Sequence, residues 1–455
     1  MNLDIFNEYK NDLNSFLRNT IYNPEILYTN EFEKKMLSPF YGIKYNKGCF
    51  ENDSSKVSKA LLSAYAVNKY DLEIINSKRF NFFKRPVASG GALYPNNIYY
   101  CPDGINFYQF NPLCGTYNLL AKFNNKKANL NNIFIITSCY FKNWIKYSYF
   151  GYRLSLVDTG HLVGSLSTSL GIFGIKHQIC IESDLFDDVK KDIKQIITDE
   201  PIQTVIKLPS NIFCKPTNKL KNMHIKENIS TKTIPLYSLI DEQSCNEKIH
   251  YSCSISDLSE YKNLNQYKFY RYSPGGGLLT VKKDNCKYFY DKSIVKLKRM
   301  LKNYSTLLDD MHIYIISKAY NEIKGPMKYE VELEKNNLFN FSEKISMDNF
   351  NQIMRKHNIN IEETQALIFL GTDMNFKSDD FNVSEFKLEQ LKIGLIAQLI
   401  TVAFGENHCI CHPVLGFNSE KAEKLLNLQN KSLLHLMCVS QVDGAIPPLL
   451  YFMGN

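Results

Sequence analysis

Two stretches of the chain share one apolar rhythm. "NNIFIITSC" (131–139) is a short β-rich run, and from Leu154 the sequence turns into a long helical pattern in which Leu156, Val157, Leu162, Val163, Leu166 and Leu170 make most sides apolar. Far downstream "QALIFLGTD" (365–373) is again a strand, and "FKLEQLKIGLIAQLITVAFGENHCICHPVL" (386–415) is again a buried helix followed by a strand. Glycines bracket both helices at one spacing, because Gly160 to Gly171 is 171 − 160 = 11 residues and Gly394 to Gly405 is 405 − 394 = 11. The pattern predicts two diverged copies of one domain.

A glycine-rich turn precedes each helix. The first is "RPVASGGALYP" (85–95), running into the apolar strand "NIYYC"; the second is "RYSPGGGLLT" (271–280), which aligns Arg271 with Arg85 and Gly276 and Gly277 with Gly90 and Gly91. Each copy reads as helices, turn, strands, helix, strand, helix and closing strand, an α+β order rather than a doubly wound one. Between the copies lies "NIFCKPTNKLKNMHIKENISTKTIPLY", polar, basic and without periodicity. A boundary at 226/227 follows, giving domains 1–226 and 227–455.

Composition narrows the class. With 455 residues, 44% hydrophobic and 22% charged, each half can bury an ordinary core. The net charge of +8 is spread out, and its densest clusters lack the aromatic interleaving of a nucleic-acid surface. Twelve irregularly spaced cysteines read as reduced thiols of a cytoplasmic protein. No apolar run is expected to span a bilayer and no apolar segment opens the chain, so no membrane partner is expected.

Chemistry concentrates at the first turn. Gly90 and Gly91 lack Cβ atoms, so their N–H groups can approach a planar or anionic ligand; Ser89 adds a hydroxyl, and Arg85 can reach a phosphate or fix the turn. The spacing fits neither the dinucleotide fingerprint nor the phosphate loop with its Lys-Ser/Thr. In "ENHCICHPV" the residues His408, Cys409, Cys411 and His412 look like a zinc cluster, but side chains alternate along a strand and cannot all converge, so no metal is expected.

"RPVASGGALYPNNIYY", "FYQFNPLCGTYNLL" and "WIKYSYFGYRLSLVDTGHLVGSL" together closely resemble the SagB-type (McbC-like) azoline dehydrogenases of the FMN-dependent nitroreductase superfamily. The matching features are the turn Arg85 to Pro95, Tyr108 to Asn111, Lys146-Tyr147, Tyr152-Arg153 and Gly160-His161. Departures fall at Ala88, at the Asp158 region and at Gly164-Ser165. The likeness covers roughly residues 50 to 210 well. It implies a nitroreductase-like fold, here as two tandem copies forming an intrachain pseudo-dimer, with FMN and oxidation of a peptide thiazoline or oxazoline to its azole.

The same resemblance assigns roles. Lys146 and Tyr147 are the catalytic candidates, since a lysine stripped of water titrates nearer neutrality and a tyrosine beside a cation can share its proton work. Arg85, Ser89, Gly90, Gly91, Leu93, Arg153, Gly171 and Gly174 are the cofactor candidates. Arg153 pairs with a flavin oxygen or an acidic partner, or else with Asp158. His161 reads as a cap or core residue, and Gly171 and Gly174 either present N–H groups or end their helix. At the spacing of Gly160 and Gly394 the second copy places Asp380 and Phe381 where Lys146 and Tyr147 stand, and its turn has Gly275 for Ser89 and Val281 for Pro95.

One working site is therefore expected, with the second copy as wall, scaffold or peptide-binding surface. The implied partners are a precursor peptide and a cyclodehydratase complex, with molecular oxygen as acceptor and further homo-oligomerisation open. Two other classes stay in view: another FMN oxidase of the same fold, and a peptide-binding scaffold without redox chemistry.

Overall fold

A computed structural model describes residues 3–28, 43, 49–50, 55–75, 78–181, 184–210, 212, 234–247, 249, 251–256, 258, 286–317, 327–331, 340–344, 352–355, 361, 364–378, 380–407 and 409–441. The first half comprises helices α1 (Leu3–Tyr9), α2 (Leu13–Tyr22), α3 (Lys56–Tyr65), α4 (Phe141–Tyr147), α5 (Gly151–Ile172) and α6 (Asp184–Ile193). Its strands are β1 (Cys49–Phe50), β2 (Lys69–Ile75), β3 (Lys78–Lys84), β4 (Asn96–Cys101), β5 (Asn106–Asn111), β6 (Thr116–Lys122), β7 (Ile133–Ser138), β8 (His177–Ile181) and β9 (Ile202–Lys207). The second half follows with α7 (Pro235–Glu247), β10 (Tyr251–Ile255), α8 (Cys286–Lys302), α9 (Ser305–Leu308), β11 (Met311–Ser317), β12 (Met327–Glu330), β13 (Asn340–Lys344) and β14 (Ala366–Thr372). It ends with α10 (Val383–Gly405), β15 (Cys409–Val414), α11 (Ser419–Leu425) and β16 (Ser432–Gln441).

Strand order states the repeat. The first sheet runs β1-β6-β5-β4-β7-β9-β8-β10 and the second β13-β12-β11-β14-β16-β15. Remove β1 and β10, and each strand of the second sheet is the first-sheet strand seven places further on. The described pairings are antiparallel, while β2 and β3 form a separate ribbon. The α+β reading from sequence therefore holds, and the chain is built as two copies of one domain.

The core helices explain why both copies must be present. Helix α5 lies on β4, β7, β8 and β9, α10 lies on β14, β15 and β16, and the two helices pack on each other, so the layers run sheet, helix, helix, sheet. Central strands β7 and β14 are buried along their whole length, which matches their unbroken apolar runs. At the crossing Gly160 faces Gly394: a Cβ built on Gly160 would run into Leu391 O and lie 2.8 Å from Gly394 Cα, and one built on Gly394 would run into Val157 O and lie 2.9 Å from Gly160 Cα. Leu391 precedes Gly394 by three residues and Val157 precedes Gly160 by three, so the contact is self-complementary, as two-fold packing requires.

The structure corrects one expectation. Helix α10 is long and apolar enough to cross a membrane by length and composition, yet it is wholly buried in the fold, which is what gives it that composition. The residues around 226/227 lie outside the described set, but elements cross that point in both directions. Strand β10 extends the first sheet through β8, and Tyr237 of α7 donates to Ser148 O at 2.9 Å and Tyr149 O at 3.0 Å. In return Tyr22 of α2 bonds Glu423 Oε1 at 3.2 Å and Ser432 Oγ at 3.0 Å, and Asn14 Nδ2 donates to Phe381 O at 2.7 Å. The halves exchange helices.

Candidate active site

The first glycine-rich turn is conformationally demanding. Ser89 is extended, and then Gly91 (φ 61°), Ala92 (φ 56°) and Tyr94 (φ 48°) all enter the left-handed region, which costs little for glycine and more for the other two. Tyr94 is accordingly pinned on every side. Its N–H donates to Ser89 Oγ at 2.8 Å, its hydroxyl accepts Arg85 N–H at 2.9 Å, and its carbonyl accepts Lys142 Nζ at 3.1 Å. The Arg85 guanidinium lies between the rings of Tyr65 and Tyr94, 4.3 and 4.5 Å from their centroids. Of the two roles open to Arg85, fixing the turn is the one its position serves.

Ser89 and Gly90 face inward, onto helix α5. Ser89 Oγ donates to Asp158 Oδ2 at 2.7 Å, and Gly90 N–H donates to Asp158 Oδ1 at 3.1 Å. Asn143 Nδ2 reaches the same carboxylate at 3.3 Å and Ser155 Oγ at 3.1 Å. Gly151, where α5 begins, has no room for a Cβ: it would lie 2.8 Å from the Asn143 carbonyl carbon, so α4 and α5 meet backbone to backbone.

Helix α4 grips the turn with one face. Lys142 holds Tyr94 O, Asn143 reaches Asp158, and Lys146 and Tyr147, one turn on, close over Gly91. A Cβ at Gly91 would collide with Lys146 Nζ and lie 2.7 Å from Tyr147 OH, so glycine is required by contact as well as by φ. Lys146 Nζ also sits 5.3 Å from the Tyr147 ring centroid. Lys146 and Tyr147 meet Gly91 at the accessible side of the turn, where Leu93, two residues further on, is half-buried.

Two chemical expectations change. The desolvated lysine is Lys142 and not Lys146: burial pushes Lys142 down to about 8, against the raising pull of Cys139, with Arg85 lowering it further, whereas Lys146 is exposed. Burial of the Tyr147 hydroxyl, with Tyr28 and the Asp158 carboxylate nearby, raises its pKa, so Tyr147 is a neutral phenol and a hydrogen-bond donor. Sequence reasoning passed over Lys142 and Asn143. Their signal was the i, i+1, i+4, i+5 spacing that puts 142, 143, 146 and 147 on one side of a helix.

Other candidates stand elsewhere. Arg153 pairs with neither Asp158 nor an open face: it is buried and donates to Thr20 O and Gln390 Oε1, each at 2.9 Å, and to Leu434 O, so it stitches α2, α10 and β16 to α5. Burial lowers its pKa to about 9, still well above neutrality, so the charge remains. Gly171 lies under Leu258, and Gly174 (φ 71°) donates to Gly171 O at 2.9 Å while Ile175 N–H reaches Leu170 O at 2.9 Å, which ends α5. The donor roles of these two glycines give way to helix termination. His161 is a core residue of the helix seam, 3.3 Å from Gln398 Oε1.

The second copy differs at the matching positions, 394 − 160 = 234 residues on. Asp158 corresponds to Lys392, which pairs with Asp310 Oδ1 and Glu389 Oε1, both at 2.8 Å, while burial pushes Glu389 up to about 7 against the pull of Lys392. Tyr147 corresponds to Phe381, buried against Phe376 with ring centroids 4.9 Å apart. The second glycine-rich turn, 271–281, lies outside the described residues, as does His408. Cys409 and Cys411 lie in β15, and among the described residues no group of His, Cys, Asp and Glu is arranged to hold a metal.

An antiparallel six-strand core with a buried central helix, doubled about a helix crossing, defines the nitroreductase-like class of folds. A putative nitroreductase from Anabaena variabilis has a similar structure over 94% of this chain and 99% of its own, with a TM-score of 0.68 and 14% identity. A nitroreductase family protein from Clostridium difficile matches 40% of this chain and 86% of its own, with a TM-score of 0.26 and 12% identity. The E. coli microcin synthetase McbBCD complex with truncated pro-MccB17 bound matches 46% of this chain and 81% of its own chain, with a TM-score of 0.25 and 18% identity. No protein-family profile matches this chain, and no curated protein does.

Proposed function

We propose that this protein is an FMN-dependent dehydrogenase that oxidises azoline rings of a precursor peptide to azoles, working beside a cyclodehydratase with molecular oxygen as final acceptor. One observation carries the reading: Lys146 and Tyr147 close over Gly91, so two motifs 146 − 91 = 55 residues apart in sequence meet at one half-open turn. Sequence motifs that meet in space are the arrangement a shared site needs.

The residues present fit a flavin. Gly91 leaves bare backbone on the half-exposed stretch 89–93, with Lys146 Nζ and Tyr147 OH closing on the place where a Cβ would stand. Gly91 and Leu93 would line the ring, while Ser89, Gly90 and Arg85 shape the turn that presents it. FMN, when bound, supplies the hydride acceptor. Tyr147, kept neutral, donates a hydrogen bond and orients the substrate ring. Lys146 reaches solvent, and in its unprotonated form it takes the substrate proton and passes it to water.

One working site per chain follows from Lys392 and Phe381 in the second copy. The test is to purify the intact protein, count released FMN per chain, and incubate with a thiazoline-bearing peptide while following loss of two hydrogens per ring by mass spectrometry. One FMN and a two-hydrogen loss support the reading. Bound FMN without azole formation moves the substrate to another peptide or carrier-bound molecule, and a protein that never takes up FMN ends the redox assignment.

A further inference from the structure

We propose that Asp158 is a positioning residue that ties the glycine-rich turn to the helix bearing Lys146 and Tyr147; the inference rests on the functional reading above for what that site does, but not for the tie itself. The carboxylate is buried on α5, where an unsatisfied charge is costly. It takes hydrogen bonds from two different elements: from the turn through Ser89 Oγ (2.7 Å) and Gly90 N–H (3.1 Å), and from α4 through Asn143 Nδ2 (3.3 Å). Asn143 is itself held to α5 through Ser155 Oγ, which donates back to Gly151 O at 2.8 Å. Gly91 follows Gly90 directly, and Lys146 lies three residues past Asn143, so the bracket fixes the two sides of the contact between turn and catalytic pair.

The other copy separates this role from a requirement of the fold. At the matching place on an equally buried helix stands Lys392, whose ammonium pairs with Asp310 and Glu389. The helix thus tolerates either sign of charge at this depth. An ammonium cannot accept the hydrogen bonds of a Ser hydroxyl and a backbone N–H, so the carboxylate at 158 answers to the turn.

The chain supplies its own reporter. Its single tryptophan, Trp144, is buried on α4 next to Asn143 and needs no flavin to be read. In full-length protein, Asp158→Asn is expected to weaken FMN binding in equilibrium dialysis by roughly tenfold to a hundredfold, the effect of losing hydrogen bonds to a charged acceptor. It should also shift Trp144 emission to the red and open it to acrylamide, with the melting temperature nearly unchanged. Ser89→Ala, which removes a donor on the far side of the bracket from Trp144, should move the emission the same way.

Unchanged emission and unchanged FMN affinity in Asp158→Asn overturn the proposal. If Asp158→Asn fails to fold, Ser89→Ala decides: an unmoved Trp144 signal overturns the tie, a moved one upholds it. If wild-type protein binds no FMN while Asp158→Asn still shifts Trp144, the functional reading fails and the tie stands.

Discussion

The two halves share a scaffold and differ in what they put on it. Offset by 234 residues, the crossing glycines Gly160 and Gly394 are kept, and so is the device seven residues before each: Arg153 reaches Thr20 O on α2, and Lys387 pairs with Asp241 on α7 at 3.0 Å. In both copies a cation on the central helix holds the exchanged helix. The face that grips the first turn, Lys142, Asn143, Lys146 and Tyr147, corresponds to Phe376, Lys377, Asp380 and Phe381. There Phe376 and Phe381 stack edge to face in the core, and Lys377 turns to Glu423. Positions that hold the halves together kept their role, and positions that grip the glycine-rich turn in the first half became apolar filling or surface in the second.

The sharpest way to break this comparison is to move chemistry between halves. Lys146→Ala should cost roughly 10²- to 10⁴-fold in azoline turnover, the scale of a positioned proton-transfer group. Phe381→Tyr should leave turnover unchanged under steady-state assay; a loss there comparable with that at Lys146 would mean the second half also works. Next comes the scaffold. Gly160→Ala and Gly394→Ala each drive a methyl group into a backbone carbonyl of the other half, and each should destabilise by about 3 kcal/mol in chemical denaturation. Unequal losses would show that the axis does not relate the halves.

The smallest effect is a pH signature of the first half alone. The folded pKa of Lys142, about 8, lies below its ordinary 10.5, so from about pH 8 to 10 the unfolded chain holds a proton that the folded chain has released. Stability should therefore rise with pH over that interval, by on the order of 2 kcal/mol from this group. Above about pH 10 the buried tyrosines, whose pKa values are raised, act in the opposite sense. Lys142→Phe, which installs the residue of the second half, should flatten the rise in denaturation curves measured across the interval.

Much of this was legible in the chain. The equal glycine spacing announced the doubled domain, and the apolar runs at 133–138 and 366–372 gave the central strands, because strands buried on both faces show no alternation to misread. The Lys146-Tyr147 pair and the turn were found together by motif. What sequence could not carry was burial. Nothing in "FKNWIKY" says that Lys142 lies inside and Lys146 outside, since α4 is short and its depth is set by Gly151 meeting Asn143. Arg153 looked like a ligand-binding cation because its acceptors, Thr20 O and Leu434 O, are backbone atoms that no motif encodes. The exchange of α2 and α7 was hidden because it depends on long-range packing. The charge reversal from Asp158 to Lys392 was readable at the 234-residue offset.

The glycine-on-glycine crossing has a consequence for how such a molecule can change. In an assembly of identical subunits the two sides of that contact would be written by one codon, and any mutation would strike both sites at once. Here they are separate codons in one reading frame, so Asp158 and Lys392 can hold opposite charges and Tyr147 and Phe381 can part company, while mutations at 160 and 394 remain bound to each other by the backbone between them.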